Sequence, residues 1–132
     1  MSAPRHGAYL SAARAKDHAG VIACMAPDVL FHSPTKRTPF EGKAIAGFLF
    51  THLFEVLEDF AFTDIVADAD MAVLFFTCRI GGRQAEGCDV LRFNADGFIQ
   101  DFKVLIRPLP ALAALNEIMG ARLASFGQAA GN

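Results

Sequence analysis

Asp89 lies in the run Gly87-Cys-Asp-Val-Leu-Arg-Phe93, an acid with apolar neighbours. Alternate residues of a strand share a face, so Asp89, Leu91 and Phe93 fall together, and Phe102, Val104 and Ile106 line the same side across the next turn. A carboxyl group held among aliphatic and ring carbons resists ionisation. Its pKa rises, and near neutral pH it keeps a proton that it can donate in a hydrogen bond. The alternative is an Asp89 that faces water or pairs with a cation such as Arg79.

The second candidate is the end of "VLFHSP", residues Val29 to Pro34. Histidine suits proton transfer near neutrality, so His32 is a candidate base if its imidazole turns inward; otherwise it caps or packs. Alternation allows only one of His32 and Ser33 to face inward, but Pro34 ends the strand and loosens that parity. Ser33 has no G-x-S-x-G context and reads as a strand-end hydrogen bonder rather than a nucleophile. His52 falls on an apolar helical stripe, where a single histidine is usually a core residue. His6 and His18 have no regular ligand spacing to His32, so no metal site is expected. Arg107 reads as a surface partner for an acid. No Gly-rich phosphate loop or dinucleotide fingerprint is present, and no cofactor is expected.

These residues need a scaffold. Pro4 to Met25 reads as a long helix followed by a short one, with the interruption near Gly20 and with Tyr9, Leu10 and Ala13 on one stripe. A short strand covers Val29 to His32, and a polar loop punctuated by Pro34 and Pro39 leads to Gly42. From Lys43 to Asp59, apolar residues including Phe48, Leu49 and Leu53 recur at helical spacing. Strands follow at Phe60 to Ala67, Met71 to Ile80, Ala85 to Asn94 and Phe98 to Arg107, an antiparallel meander with hairpin signals at Gly81-Gly82 and Asn94 to Gly97. A C-terminal helix starts near Pro108 or Pro110, and "GQAAGN" is expected to fray. Helices first and an antiparallel sheet after give an α+β fold, with a conical cavity between sheet and helices.

The chain's 132 residues and 53% hydrophobic content fit one globular domain spanning 1–132. With 12 basic and 14 acidic residues there is no electrostatic footprint for nucleic acid or an anionic membrane. No signal peptide is seen, and no stretch reaches the roughly 18 apolar residues of a spanning helix, so the cytoplasm is the expected location. Cys24, Cys78 and Cys88 form no C-x-x-C pair and read as buried, reduced thiols. The 13 phenylalanines, with one tyrosine and no tryptophan, could line an apolar pocket or fill a core.

The order of elements, the His-Ser-Pro strand end, the glycine opening the middle helix and "DVLRFNADGFIQDF" together resemble the NTF2-like superfamily. Within it they resemble SnoaL-like proteins, relatives of ketosteroid isomerase and polyketide cyclases, over roughly Tyr9 to Arg107. The resemblance implies a cone: a curved antiparallel sheet around the N-terminal and middle helices, with a short C-terminal helix. It puts Asp89 at the position of the isomerase's protonated aspartic acid and Tyr9 at that of its partner donor, two donors that form an oxyanion hole. Ser33 stands where that enzyme has its aspartate base, so its isomerisation mechanism is disfavoured unless His32 substitutes.

The expected role is binding of a small apolar molecule with a carbonyl or phenolic oxygen. Tyr9, His32 and Asp89 are the candidate catalytic groups, and Ser33, Phe48, Leu91, Phe102, Val104 and Ile106 the expected lining. If the protein is an enzyme, cofactor-independent acid–base chemistry next to a carbonyl fits best. The rival is a non-catalytic binding or assembly module; hydrolysis or dehydration would need more inward charge. A homodimer through the outer sheet face, with Val90 and Leu105, is expected in either case.

Overall fold

The computed structural model describes the backbone of residues 5–131 and the side chains of residues 5–124. Its elements are α1 (Arg5–Arg14), α2 (His18–Ala23), β1 (Met25–His32), β2 (Phe40–Glu41), α3 (Lys43–Val56), β3 (Glu58–Ala67), β4 (Met71–Ile80), β5 (Arg83–Phe93), β6 (Ile99–Arg107) and α4 (Leu109–Gly131).

The sheet has six strands in the order β2-β1-β6-β5-β4-β3. The meander from β3 to β6 is antiparallel throughout, as its hairpin signals require. The first strand departs from expectation: β1 runs parallel to β6, starts earlier, and bulges between Met25 and Leu30, which accommodates Pro27. Further irregularities in β3 and at Arg92/Phe93 help bend the sheet. Gly87 is fixed by close approach, because a Cβ there would sit 2.0 Å from the Leu105 carbonyl oxygen. That contact seats β5 against β6 two residues before Asp89.

The helical break falls at Ala15 to Asp17 rather than near Gly20. Lys16 adopts φ 56°, and the Asp17 carboxylate accepts from the Gly20 amide at 3.0 Å, so Asp17 opens α2 instead of lengthening α1. The expected start at Pro4 lies outside the described residues. Helix α3 stops at Val56, earlier than expected, because Glu58 already begins β3.

The C-terminal helix is not short. It spans 23 residues, and its backbone stays helical through "GQAAG"; Asn132 lies outside the described residues. In its Ala- and Leu-rich sequence the one proline, Pro110, sits in the first turn where it is tolerated, and the interior glycines Gly120 and Gly127 each cost only about 1 kcal/mol relative to alanine. Helix α4 packs back on α3 and the concave sheet face, where Ala111 and Leu115 are buried.

Candidate functional site

The concave face of β5 presents Asp89 and Leu91, opposite Val104 and Phe102 of β6, in the alternation read from the sequence. Asp89 lies between Leu74 and Val104 across the ladders. Helix α1 brings Tyr9 to the same place. Arg5, one turn earlier, donates to the carbonyl oxygens of Asn94 at 2.5 Å and Ala95 at 3.3 Å, clamping α1 to the β5–β6 turn.

Tyr9 Oη donates to Asp89 Oδ2 at 2.9 Å. The two residues are 1% and 5% exposed, so this bond is made out of reach of bulk water. Phe102 and Phe50 hold the Tyr9 ring edge-on, with centroids 5.5 and 6.3 Å away. Burial lifts the Asp89 carboxyl to about 7, against a smaller downward pull from the Tyr9 hydroxyl. Burial and the neighbouring carboxylate raise Tyr9 well above its ordinary value, so Tyr9 remains protonated. Near neutrality the pair therefore holds up to two donatable protons in an apolar wall. Asp89 pairs with Tyr9; Arg79 instead donates to the Gly82 carbonyl.

His32 is not in this site. Its neighbour Phe31 is buried on the concave face, so alternation turns His32 to the outer face, where Nε2 lies 2.9 Å from Asp101 Oδ2. Asp101 likewise flanks inward Phe102, which explains why the two meet outside. Ser33 lies at the mouth, its Oγ 3.5 Å from Thr35 Oγ1.

Of the two roles open to the phenylalanines, lining a pocket or filling a core, the second prevails in the cone. Phe31 packs on Phe102 at 5.2 Å and Phe102 on Tyr9, a ring layer between the dyad and the mouth. In front of that layer remains a cavity of about 30 Å³, enough for a water or two. Phe31, Leu49 and Leu53 form its inner wall, Ser33 to Lys36 its rim, and Leu115, Met119 and Leu123 of α4 its cover. Sequence reasoning missed this cover, although the apolar spacing of Leu115, Met119 and Leu123 was visible.

Leu91, Phe102 and Val104 lie in the core behind the cavity, and Ile106 packs at the core's edge. Phe48 does not face the cone. It sits one helical step from Leu49, stacks on His52 at 4.2 Å, and lines a separate open groove with Ile22, Lys43 and Thr51. His52 is half-buried rather than core: its Nδ1 accepts from Arg122 Nη1 of α4 at 2.9 Å. Cys78 is buried, whereas Cys24 and Cys88 are half-buried; all three are free thiols. Arg107 pairs with Glu86 at 2.6 Å on the surface. Among the described residues no three His, Cys, Asp or Glu side chains gather as a metal-ligand set, and no helix is long and apolar enough to cross a membrane.

The sequence profile of the SnoaL-like domain matches residues 7–102, a span that contains Tyr9, Ser33 and Asp89. The chain belongs to the SnoaL-like family. Among solved structures, this SnoaL-like chain is similar to a steroid delta-isomerase from Pseudomonas aeruginosa, with 34% identity over 96% of each chain and a TM-score of 0.87. An uncharacterised bacterial protein with a cystatin-like fold from Silicibacter pomeroyi shares 28% identity over 95% of this chain and 89% of its own, with a TM-score of 0.88. A Mycobacterium tuberculosis protein solved with estradiol-17β-hemisuccinate shares the fold at 20% identity, covering 81% of this chain and 93% of its own, with a TM-score of 0.61. No curated protein matches the chain. The NTF2-like cone implied by the sequence is thus the observed architecture.

Proposed function

We propose that this SnoaL-like protein binds a small apolar molecule through a carbonyl or phenolic oxygen that accepts hydrogen bonds from Tyr9 and Asp89. The observation that carries this reading is the buried 2.9 Å Tyr9–Asp89 bond. Among the described residues Asp89 is the only buried carboxylate, and a lone acid in an apolar wall is costly for a core with no other use for it. On binding, the Tyr9 hydroxyl turns from Asp89 to the ligand oxygen, and protonated Asp89 donates to the same oxygen. Entry requires α4 and the ring layer to shift, since the resting cavity is far smaller than the roughly 300 Å³ of a typical ligand site.

The same two donors would stabilise an enolate, and the likeness to a steroid delta-isomerase favours that chemistry. The half that removes a proton is what this chain lacks: His32 faces outward and Ser33 replaces a carboxylate. Binding is therefore the primary activity and turnover next to a carbonyl the secondary one. Outer-face apolar residues Phe75 and Leu105, 41% and 50% exposed, flank Cys88 in adjacent strands and support a homodimer through that face. The free thiols fit a reducing compartment such as the cytoplasm.

A thermal-shift and binding series with naphthols and apolar ketones tests the reading. Wild type should be stabilised at pH 6, less so above about pH 7 as Asp89 ionises, and Asp89→Ala should not respond. An undiminished response in Asp89→Ala would sink it.

A further inference from the structure

The loop Ser33 to Pro39 has an apolar side and a cationic side. Ser33, Pro34, Thr35 and Lys36 line the small cavity, and the same four residues line a second groove of about 790 Å³ between this loop and the latter half of β6. That groove adds Arg37, Lys103 and His32 and contains no carboxylate in its lining. His32 is already engaged by Asp101. Lys36, Arg37 and Lys103 make no ion pair among the described residues, in a chain whose net charge is −2. Lys36 stands in both linings, so the cavity mouth opens beside this groove, where Arg37 and Lys103, the latter on the outer face next to His32, add further positive charge. Lysine and arginine there can bind an anion while the lysine stem lies along apolar surface.

We infer that the ligand is an amphipathic anion: an apolar body with its oxygen toward Tyr9 and Asp89, and a carboxylate or phosphate tail that passes over Lys36 into the adjoining groove and is held there by Lys36, Arg37 and Lys103. This rests on the binding reading above and adds the class of molecule to it. Hydroxyls of Ser33, Thr35 and Thr38 stand in the same groove as further donors for the anionic group.

The test uses omega-(para-hydroxyphenyl)octanoate, its methyl ester and the corresponding alkyl phosphate, titrated into wild type, a Lys36→Ser/Arg37→Ser/Lys103→Ser variant and Asp89→Ala. Both anionic probes, or one of them, should bind wild type about tenfold more tightly than the ester at low salt. The preference should shrink with added salt and vanish in the rim variant, and which anion binds better separates carboxylate from phosphate. Equal binding of all three probes to wild type, or a preference that survives in the rim variant, overturns the anionic tail; loss of affinity in Asp89→Ala then leaves the parent reading standing. No binding of any probe to wild type, or binding indifferent to Asp89→Ala, overturns the parent reading and this inference with it. The substituted side chains are surface groups, and an unchanged melting temperature of the rim variant verifies that it folds.

Discussion

Two polar pairs have the same separation and opposite surroundings. Tyr9 and Asp89 meet at 2.9 Å inside the cone, and His32 and Asp101 meet at 2.9 Å on the outer sheet face. The first pair is sealed by phenylalanines and leucines, whereas the side chains of the second are 22% and 25% exposed. Distance alone would rank them equally. Desolvation separates them, because it raises Asp89 to about 7 and makes a proton donor out of a carboxylate. The outer pair is a part-exposed hydrogen bond, an ion pair only when His32 carries a proton, of the kind worth about 1 kcal/mol or less.

The largest expected effect comes from supplying inside the cone what His32 fails to supply from outside. Ser33→Asp places a carboxylate at the mouth, and exchange of the acidic protons of a β,γ-unsaturated ketone, followed by NMR, should accelerate by roughly 10² or more. No acceleration would mean that position 33 does not reach a ligand held at Asp89. Next, Tyr9→Phe should cost about 1–3 kcal/mol in urea unfolding, because it strips a buried carboxyl of its partner, whereas Asp101→Ala should cost under about 1 kcal/mol. Equal costs would erase the distinction drawn above.

The pH dependence is finer. The unfolded chain releases the Asp89 proton near 3.8 and the folded chain near 7, so between these values the folded state holds the extra proton. Asp89's contribution to stability is thus fully present below about pH 4 and is lost as the pH rises through 7. The stability of wild type relative to Asp89→Asn should fall across that window and level off above it, as read from urea midpoints. The smallest effect is a null one: Asp101→Ala should leave affinity for neutral phenols unchanged.

Much of the fold was legible because period-two alternation and paired turn residues act locally. Asp89, Leu91, Phe102 and Val104 fell on one face for that reason, and the Gly81-Gly82 and Asn94 to Gly97 turns fixed their strands. Tyr9 was tied to Asp89 only by family resemblance, since nothing local relates residues 80 positions apart. The orientation of His32 was hidden by Pro34: a strand that stops there could have twisted either side chain inward. Phe48 was misplaced because a helical stripe gives the buried arc but not which neighbour covers each edge. The early break at Lys16 is local, set by Asp17 capping the Gly20 amide, whereas the parallel pairing of β1 depends on contacts made at a distance. So does the cover that α4 lays over the mouth.

That cover carries a kinetic consequence. If the dyad is reachable only while α4 is lifted, observed affinity equals intrinsic affinity scaled by the lifted fraction. Association would then saturate at the opening rate however much ligand is added, and weak apparent binding would coexist with a strong pair of donors.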